Sequence, residues 1–336
     1  MTSSEPTIVT SSITDPLRQI GRFGGDVQAV MRRAGLGPDT FDKAPAAIPL
    51  RAFVALSQTA ADCLNRPDFG WLTGSRFDLA NLGPVGRAML SAPNAGSALR
   101  LVCDAFASVQ AHSELCLRVE GETARLQYRV LDPRIWPRDQ DAELTLAAIG
   151  RVLWLAKGPD WRPDRLIFEH AAGRTAAAAM LRARQGVDYG GACNEMQFPA
   201  AHLSAPMPDS NQGRFRAECA ETRRIAHQIA GQSGPEGRVR QLILQRFGAA
   251  SLDQTDIARA LGCSRRSLRR RLAESGTSYS RVLADCRIGV ARHRLQHSTQ
   301  SVASIAEELG YSDPTAFDRA FRRAAGLSPT QFRRQT

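Results

Sequence analysis

The residues of this chain best suited to chemistry are arginines spaced along one short helix face. The run from Ser264 to Ala273 opens on a serine, a side chain that caps helix starts by accepting a backbone N–H two or three residues on. Side chains on a helix advance by about 100° per residue. Leu268 and Leu272 therefore share an inner face, while Arg266, Arg269, Arg270 and Ala273 share the outer one. Arg265 lies near the positive helix start. Like charges packed this way repel one another, which costs stability unless an anionic partner covers them. A guanidinium forks onto a guanine edge or clamps a phosphate, so the stripe predicts contact with double-stranded DNA.

A second run repeats the plan with different side chains. Asp313 is the expected cap, and Pro314 sits at the first helical position, where its missing N–H does no harm. Phe317 and Phe321 take the inner face. Thr315, Asp318, Arg319, Arg322 and Arg323 point outward. By position Thr315 matches Arg266, Asp318 matches Arg269 and Arg319 matches Arg270. Two roles are open to Asp318: accepting from a cytosine amino group, or pairing with Arg322 one helical turn on.

These stripes need elements to aim them, and an internal repeat supplies them. Asp256-Ile257-Ala258-Arg259-Ala260-Leu261-Gly262 recurs as Ser304-Ile305-Ala306-Glu307-Glu308-Leu309-Gly310, offset by 48. Ile and Leu four apart bury one helix face, the small Ala allows close crossing, and the Gly permits a steep reversal into the next helix. That is a helix-turn-helix, present twice. Between the copies a helix is expected over about Tyr279–His297, packing both units through Leu283, Cys286, Val290 and Arg287. A rigid connector matters because one chain reaches two major-groove segments only if its readers stand about 34 Å apart. Gly289 in its middle costs about 1 kcal/mol relative to Ala.

Charge is concentrated where the repeat lies. Residues 235–336 hold 18 Arg, no Lys and 9 Asp plus Glu, a net of 18 − 9 = +9. The remainder holds 44 − 18 = 26 basic and 33 − 9 = 24 acidic residues, a net of +2. A basic domain on a near-neutral body suits a polyanionic partner. Other classes find less support. The apolar stretch Leu144–Ala156 is broken by Gly150 and Arg151 and is too short to span a bilayer, so no membrane partner is expected. Without a secretory signal at the start, the expected location is cytoplasmic. Seven scattered cysteines form no CxxC pair and read as reduced thiols. No phosphate loop, HExxH or GxSxG motif is present, so no enzyme, cofactor or metal is expected. For His112 with Cys116, which could serve as ligands, and Cys103 with Cys116, which could form a redox pair, ordinary packing is expected. Trp136, Trp154, Trp161 and Tyr128 read as core more readily than as pocket lining.

Along the chain, residues 1–14 read as disordered. Residues 15–205 read as one mixed α+β domain. Helices are expected at Leu17–Ala34, Leu50–Leu64, Gly96–Val109 and Glu143–Lys157, with a strand pair at Leu115–Val119 and Arg125–Val130 turning at Gly121. Residues 164–200 add a strand, an Ala-rich helix from Arg174 and a last strand near Gln197. Residues 206–234 read as a connecting helix with a hinge at Gly231–Pro235. Residues 235–336 form an all-α domain of two helix-turn-helix units joined by a long helix.

With those residues laid out, the C-terminal third resembles the DNA-binding domain of the AraC/XylS-type regulators. The motifs are Ile257-Ala258-x-x-Leu261-Gly262, Ser264-x-x-x-Leu268-x-Arg270-x-Leu272, Arg287-x-x-x-Ala291-x-x-x-Leu295, Ile305-Ala306-x-x-Leu309-Gly310-Tyr311, Phe317-x-Arg319-x-Phe321-Arg322 and Gly326-x-Ser328-Pro329. The resemblance implies seven helices, a bent asymmetric DNA site, and control of transcription with RNA polymerase as a partner. It implies base contacts from Arg266, Arg269 and Arg270, then Thr315, Ala316 and Arg319. Ala316 departs from the pattern, since relatives often carry a polar residue there. Residues 15–205 resemble the arabinose-binding-type effector domain of some members, through Ile48-Pro49-Leu50-Arg51-Ala52-Phe53, Pro67-Asp68-Phe69-Gly70 and Leu82-Gly83-Pro84-Val85-Gly86. That implies a small-molecule effector of unidentified kind and a homodimer. The alternative is a regulator whose N-terminal domain only dimerises.

Overall fold

Alternating apolar and polar residues build a sheet in the N-terminal part, and amphipathic helices cover it. The computed structural model describes residues 6–37, 47–132, 134–172, 186–191, 193–232, 234–247, 251–297 and 300–334. These fall into two compact units: residues 5–130 with 135–227, and residues 228–336 with 131–134.

The first unit runs β1 (Thr7–Val9), α1 (Thr14–Arg22), α2 (Val27–Arg33), β2 (Ala47–Pro49), α3 (Leu50–Cys63), α4 (Phe69–Ser75), α5 (Pro84–Ser91), α6 (Ala95–Val109), β3 (Ser113–Glu120), β4 (Thr123–Val130), α7 (Asp139–Lys157), β5 (Arg165–Phe168), β6 (Gly186–Tyr189), β7 (Asn194–Pro199) and most of α8 (Gln212–Gln232), whose residues from 228 on count with the second unit. The larger sheet has the order β3-β4-β7-β5-β6, antiparallel except for the parallel β5–β6 pair. Leu115 lies opposite Tyr128 and Leu117 opposite Leu126. Leu115, Leu126 and Tyr128 are buried. They join Phe53, Phe69, Phe168 and Phe198 in a core where each side chain contributes roughly 1.5–3 kcal/mol by leaving water.

Several expectations need correction. The stretch expected to be disordered carries β1, which pairs antiparallel with β2, Ile8 opposite Ile48 and both buried. Burying Ile8 and Ile13 orders this segment, though its apolar run is too short to show periodicity. The helix expected over Leu17–Ala34 is two helices. Asp26 accepts the Ala29 N–H at 3.0 Å and starts the second, after the Gly24-Gly25 break. The helix expected from Glu143 begins at Asp139. The region expected as a hinge is helical through Gly231 and Gln232, and Pro235 opens the next helix at its first turn. The Ala-rich helix expected from Arg174 lies outside the described residues.

Among the described residues, the regular elements that begin in the second unit are all helices: α9 (Pro235–Arg246), α10 (Gln254–Ala260), α11 (Arg265–Glu274), α12 (Tyr279–His297), α13 (Val302–Glu308), α14 (Pro314–Ala325) and α15 (Pro329–Arg334). Ile257, Leu268, Leu272, Ile305, Phe317 and Phe321 are buried in one cluster with Val239 and Ile243 of α9. The connector α12 has the expected limits, and Leu283, Cys286, Val290 and Arg287 pack against the motifs as expected. Val282, Cys286, Ala291 and Leu295 are buried, while Leu283 and Val290 are half-buried.

Candidate nucleic-acid interface

Each of the two motifs is built from a cap, a turn and a buried pair. Asp253 accepts from Thr255 N–H at 2.7 Å to start α10, and Ser264 accepts from Ser267 N–H at 3.1 Å to start α11. In the second unit Ser301 accepts from Ser304 N–H at 3.1 Å and Asp313 from Ala316 N–H at 2.7 Å. Each such cap contributes about 1 kcal/mol. The turns share a left-handed glycine and a closing backbone bond. Gly262 has φ +64° and Gly310 φ +71°, the left-handed region that favours glycine. Cys263 N–H donates to Ala258 O, and Tyr311 N–H to Ala306 O, both at 3.0 Å. The second turn has one extra residue, Ser312, before its cap.

On α11, Arg265, Arg266, Arg269 and Arg270 are all exposed, opposite the buried Leu268 and Leu272. They line a concavity of about 1210 Å³ together with Gln254 and the start of α12, where Tyr279 sits. Arg265 Nε donates to Gln254 Oε1 at 3.3 Å, and Arg270 Nε stands 3.7 Å from Glu274 Oε1. Among the described residues, Arg266 and Arg269 have no carboxylate within 4.0 Å. On α14, Thr315, Arg319, Arg322 and Arg323 are exposed, whereas Ala316 is half-buried. Of the two roles open to Asp318, the structure shows the ion pair: Arg322 Nη2 lies 3.1 Å from Asp318 Oδ2. Being exposed, that pair orients Arg322 more than it stabilises the helix.

Not every arginine of the unit is left without an internal partner. Among the described residues, seven arginines outside the two outer faces make bonds within the unit. Arg240 pairs with Glu236, Arg259 with Asp256, and the buried Arg294 with Glu308. Arg246, Arg287, Arg292 and Arg333 donate to backbone carbonyls. The signal for Arg294 was present, since a charge at a buried connector position needs a partner.

Comparison with known proteins bears on this geometry. A model described as the arabinose-binding domain of AraC transcription regulator, N-terminal, matches residues 24–207, and a helix-turn-helix domain model matches residues 257–335. The chain belongs to the AraC family of transcription regulators. It is 26% identical over 314 residues to an ornithine utilization regulator of Pseudomonas aeruginosa, covering 94% of this chain and 92% of that one. It is 28% identical over 330 residues to the regulator VirS of Mycobacterium tuberculosis, covering 95% and 93%. The crystal structure of the transcriptional regulator CdpR from Pseudomonas aeruginosa is 24% identical, with a TM-score of 0.43 and coverage of 95% and 98%. The regulator thus combines an arabinose-binding-type N-terminal domain with a DNA-binding helix-turn-helix domain, and it is not an enzyme.

In the N-terminal unit of this AraC-family regulator the residues weighed as pocket lining do not converge. Trp154 meets Trp161 edge-to-face at 5.3 Å and Trp71 at 6.2 Å. Tyr128 packs on Phe106, and Trp136 lies under the Arg138 guanidinium. His112 occupies a turn at φ +54°, and Cys116 sits in β3 opposite Gln127. Burial pushes the Cys103 thiol up to about 12, which disfavours the reactive thiolate.

Sequence reading missed a polar network inside this unit. Tyr128 OH donates to Asp141 Oδ2 at 2.6 Å and accepts from Gln110 Nε2 at 2.7 Å. Arg138 forks onto Glu169 at 2.6 and 2.8 Å. His170 Nε2 stands 3.8 Å from Glu143 Oε1. Burial pushes Asp141 up to about 6 and Glu143 up to about 8. Asp139, Asp141 and Glu143 look in sequence like an acidic helix start facing water, which hides their inward direction.

Proposed function

We propose that this regulator reads two segments of duplex DNA, with Arg265, Arg266, Arg269 and Arg270 of α11 as the main contacts. Thr315, Arg319 and Arg323 of α14 are secondary contacts, Ala316 adds at most a methyl contact, and Arg322 is held by Asp318. The supporting observation is the exposed arginine stripe of α11, two of whose members have no nearby carboxylate among the described residues. The proposed domain division is an effector-binding and dimerising N-terminal domain over residues 15–205, a connecting segment over 206–234 and a reader from 235. The proposed effector is a small metabolite whose binding biases the regulator's DNA affinity or its contact with RNA polymerase in the cytoplasm.

The test starts by selecting bound fragments from genomic DNA with the full-length protein. Binding to the selected site is then titrated at several salt concentrations. If about 6 phosphates are neutralised, log K falls with log salt at a slope near −5. A flat response contradicts the electrostatic interface. A thermal-shift screen against small metabolites examines the sensor, because a ligand of the native state raises Tm. Amino acids belong in that panel, since one relative is an ornithine utilization regulator. No shift with any metabolite, alongside concentration-dependent dimerisation, favours an N-terminal domain that only dimerises.

A further inference from the structure

Halfway along α12, Arg287 reaches across to the second motif. Its Nε donates to Leu309 O at 2.8 Å and its Nη2 to Gly310 O at 2.6 Å. The same guanidinium lies 4.6 Å from the centroid of the Tyr311 ring. Tyr311 packs in turn on Phe317, ring centroids 5.2 Å apart, and Phe317 is a buried anchor of α14. We propose that Arg287 is a positioning residue that sets the angle of α14 against the connector, and so decides which base pairs the second reader discriminates. This rests on the reading of α14 as a DNA reader.

Three observations carry the inference. First, two successive carbonyls at different angles are held by one planar fork. Lysine, a single flexible point charge, has no equivalent geometry. Second, three segments meet at the junction. A Cβ at Gly310 would lie 3.3 Å from Arg287 Nη2 and 3.4 Å from Leu252 Cδ1. Leu252 precedes α10, and its carbonyl accepts from Tyr279 OH, at the start of α12, at 2.6 Å. The entry to the first motif, the connector and the turn of the second therefore meet at one place. Third, the first turn lacks such a clamp. A Cβ at Gly262 would meet nothing within 4 Å, and among the described residues no arginine donates to the Leu261 or Gly262 carbonyl. Among the described residues, the second reader is the one keyed to the connector by an arginine at its turn. A key at this distance from α14's outer face acts on specificity by orientation, not by touching bases.

The experiment uses the full-length protein and the site recovered from genomic DNA, with a panel of single-base variants of that site. Arg269→Ala and Arg319→Ala first assign which segment each motif reads. Arg287→Ala and Arg287→Lys are then compared with Arg292→Ala, which removes another arginine–carbonyl bond, to Ala324 O on α14. Both Arg287 variants are expected to keep the preferences of the first segment and to lose about tenfold discrimination in the second, the size of one direct base contact. Arg292→Ala is expected to keep both. Melting of each variant is followed alongside, and if Arg287→Ala does not fold, Arg287→Lys decides. Retained second-segment preference in the folded Arg287 variants overturns the proposal. So does a uniform loss on every site variant with the salt slope reduced by about 1, which marks a phosphate contact. A wild-type protein that discriminates in one segment alone overturns the double-reader assignment itself, a separate and recognisable failure.

Discussion

In the first motif Cys263 N–H closes the turn on Ala258 O; in the second Tyr311 N–H closes it on Ala306 O at the same 3.0 Å. The buried pairs correspond as well, Leu268 and Leu272 against Phe317 and Phe321. Away from these residues the likeness stops. The outer face of α11 carries four exposed arginines, whereas that of α14 carries Thr315, a half-buried Ala316 and an acidic residue that engages Arg322. The attachments differ too. Tyr279 anchors the entry of the first motif by one hydroxyl, while Arg287 and Arg294 tie the second to the connector by a fork and a buried ion pair. A helix-turn-helix is therefore specified by few positions, and the rest of each copy is free to specialise. Here the first copy carries charge toward a partner, and the second is held in place.

The largest test of this contrast is in the core. Phe317→Ala should cost about 3–5 kcal/mol and Leu268→Ala about 2–5 kcal/mol, as large-to-small core changes do. The phenylalanine loss should be the greater, because its ring meets Tyr311 and Phe321 at 5.2 and 5.7 Å. Denaturant unfolding of each variant measures it, and near-native melting would mean the inner faces are misassigned. Next in size is direct readout. Arg269→Ala should weaken operator binding by about 1–3 kcal/mol and relax preference at one base pair. Thr315→Ala should cost less in the same titration, and a reversed order would break the ranking of the two faces.

Backbone strain separates the turns on a smaller scale. Gly262→Ala places a side chain at φ +64° in open space and should cost about 1–2 kcal/mol in thermal unfolding. Gly310→Ala should cost more, since its new methyl also crowds Arg287 and Leu252. Equal costs would argue that the Arg287 junction yields easily. The smallest effect belongs to Asp318→Ala. It removes an exposed i,i+4 pair worth about 0.2–0.5 kcal/mol, should leave base preference nearly intact, and should slightly raise nonspecific binding.

Much of the reader was legible in the sequence because its signals are local. Ser264 and Asp313 mark helix starts, Gly262 and Gly310 mark turns, and the repeat cross-checks each assignment. The connector's buried face was harder. Leu283 and Val290, expected at the contact, are half-buried against it, while Val282, Ala291, Leu295 and even Arg294 are the fully buried ones. Close helix crossings select small side chains there, and Glu308 neutralises the arginine. The role of Arg287 depends on a contact across 22 residues of sequence, which no periodicity reports. In the N-terminal unit the strand pair β3–β4 was legible from alternation and Gly121. The β1–β2 pair was not, because it joins segments of three residues each. The inward acids of α7 were hidden for the opposite reason: Asp139, Asp141 and Glu143 fit a solvent-facing helix start equally well.

The central claim is that the two motifs are unequal readers. Its most direct test is the binding free energy of the full-length protein on every single-base variant of its operator, with Arg269→Ala and Arg319→Ala assigning the segments. The account predicts that the base pairs whose preference Arg269→Ala relaxes carry the larger share of discrimination, at about 1–3 kcal/mol per mismatch. Larger penalties in the segment that Arg319→Ala relaxes would contradict it.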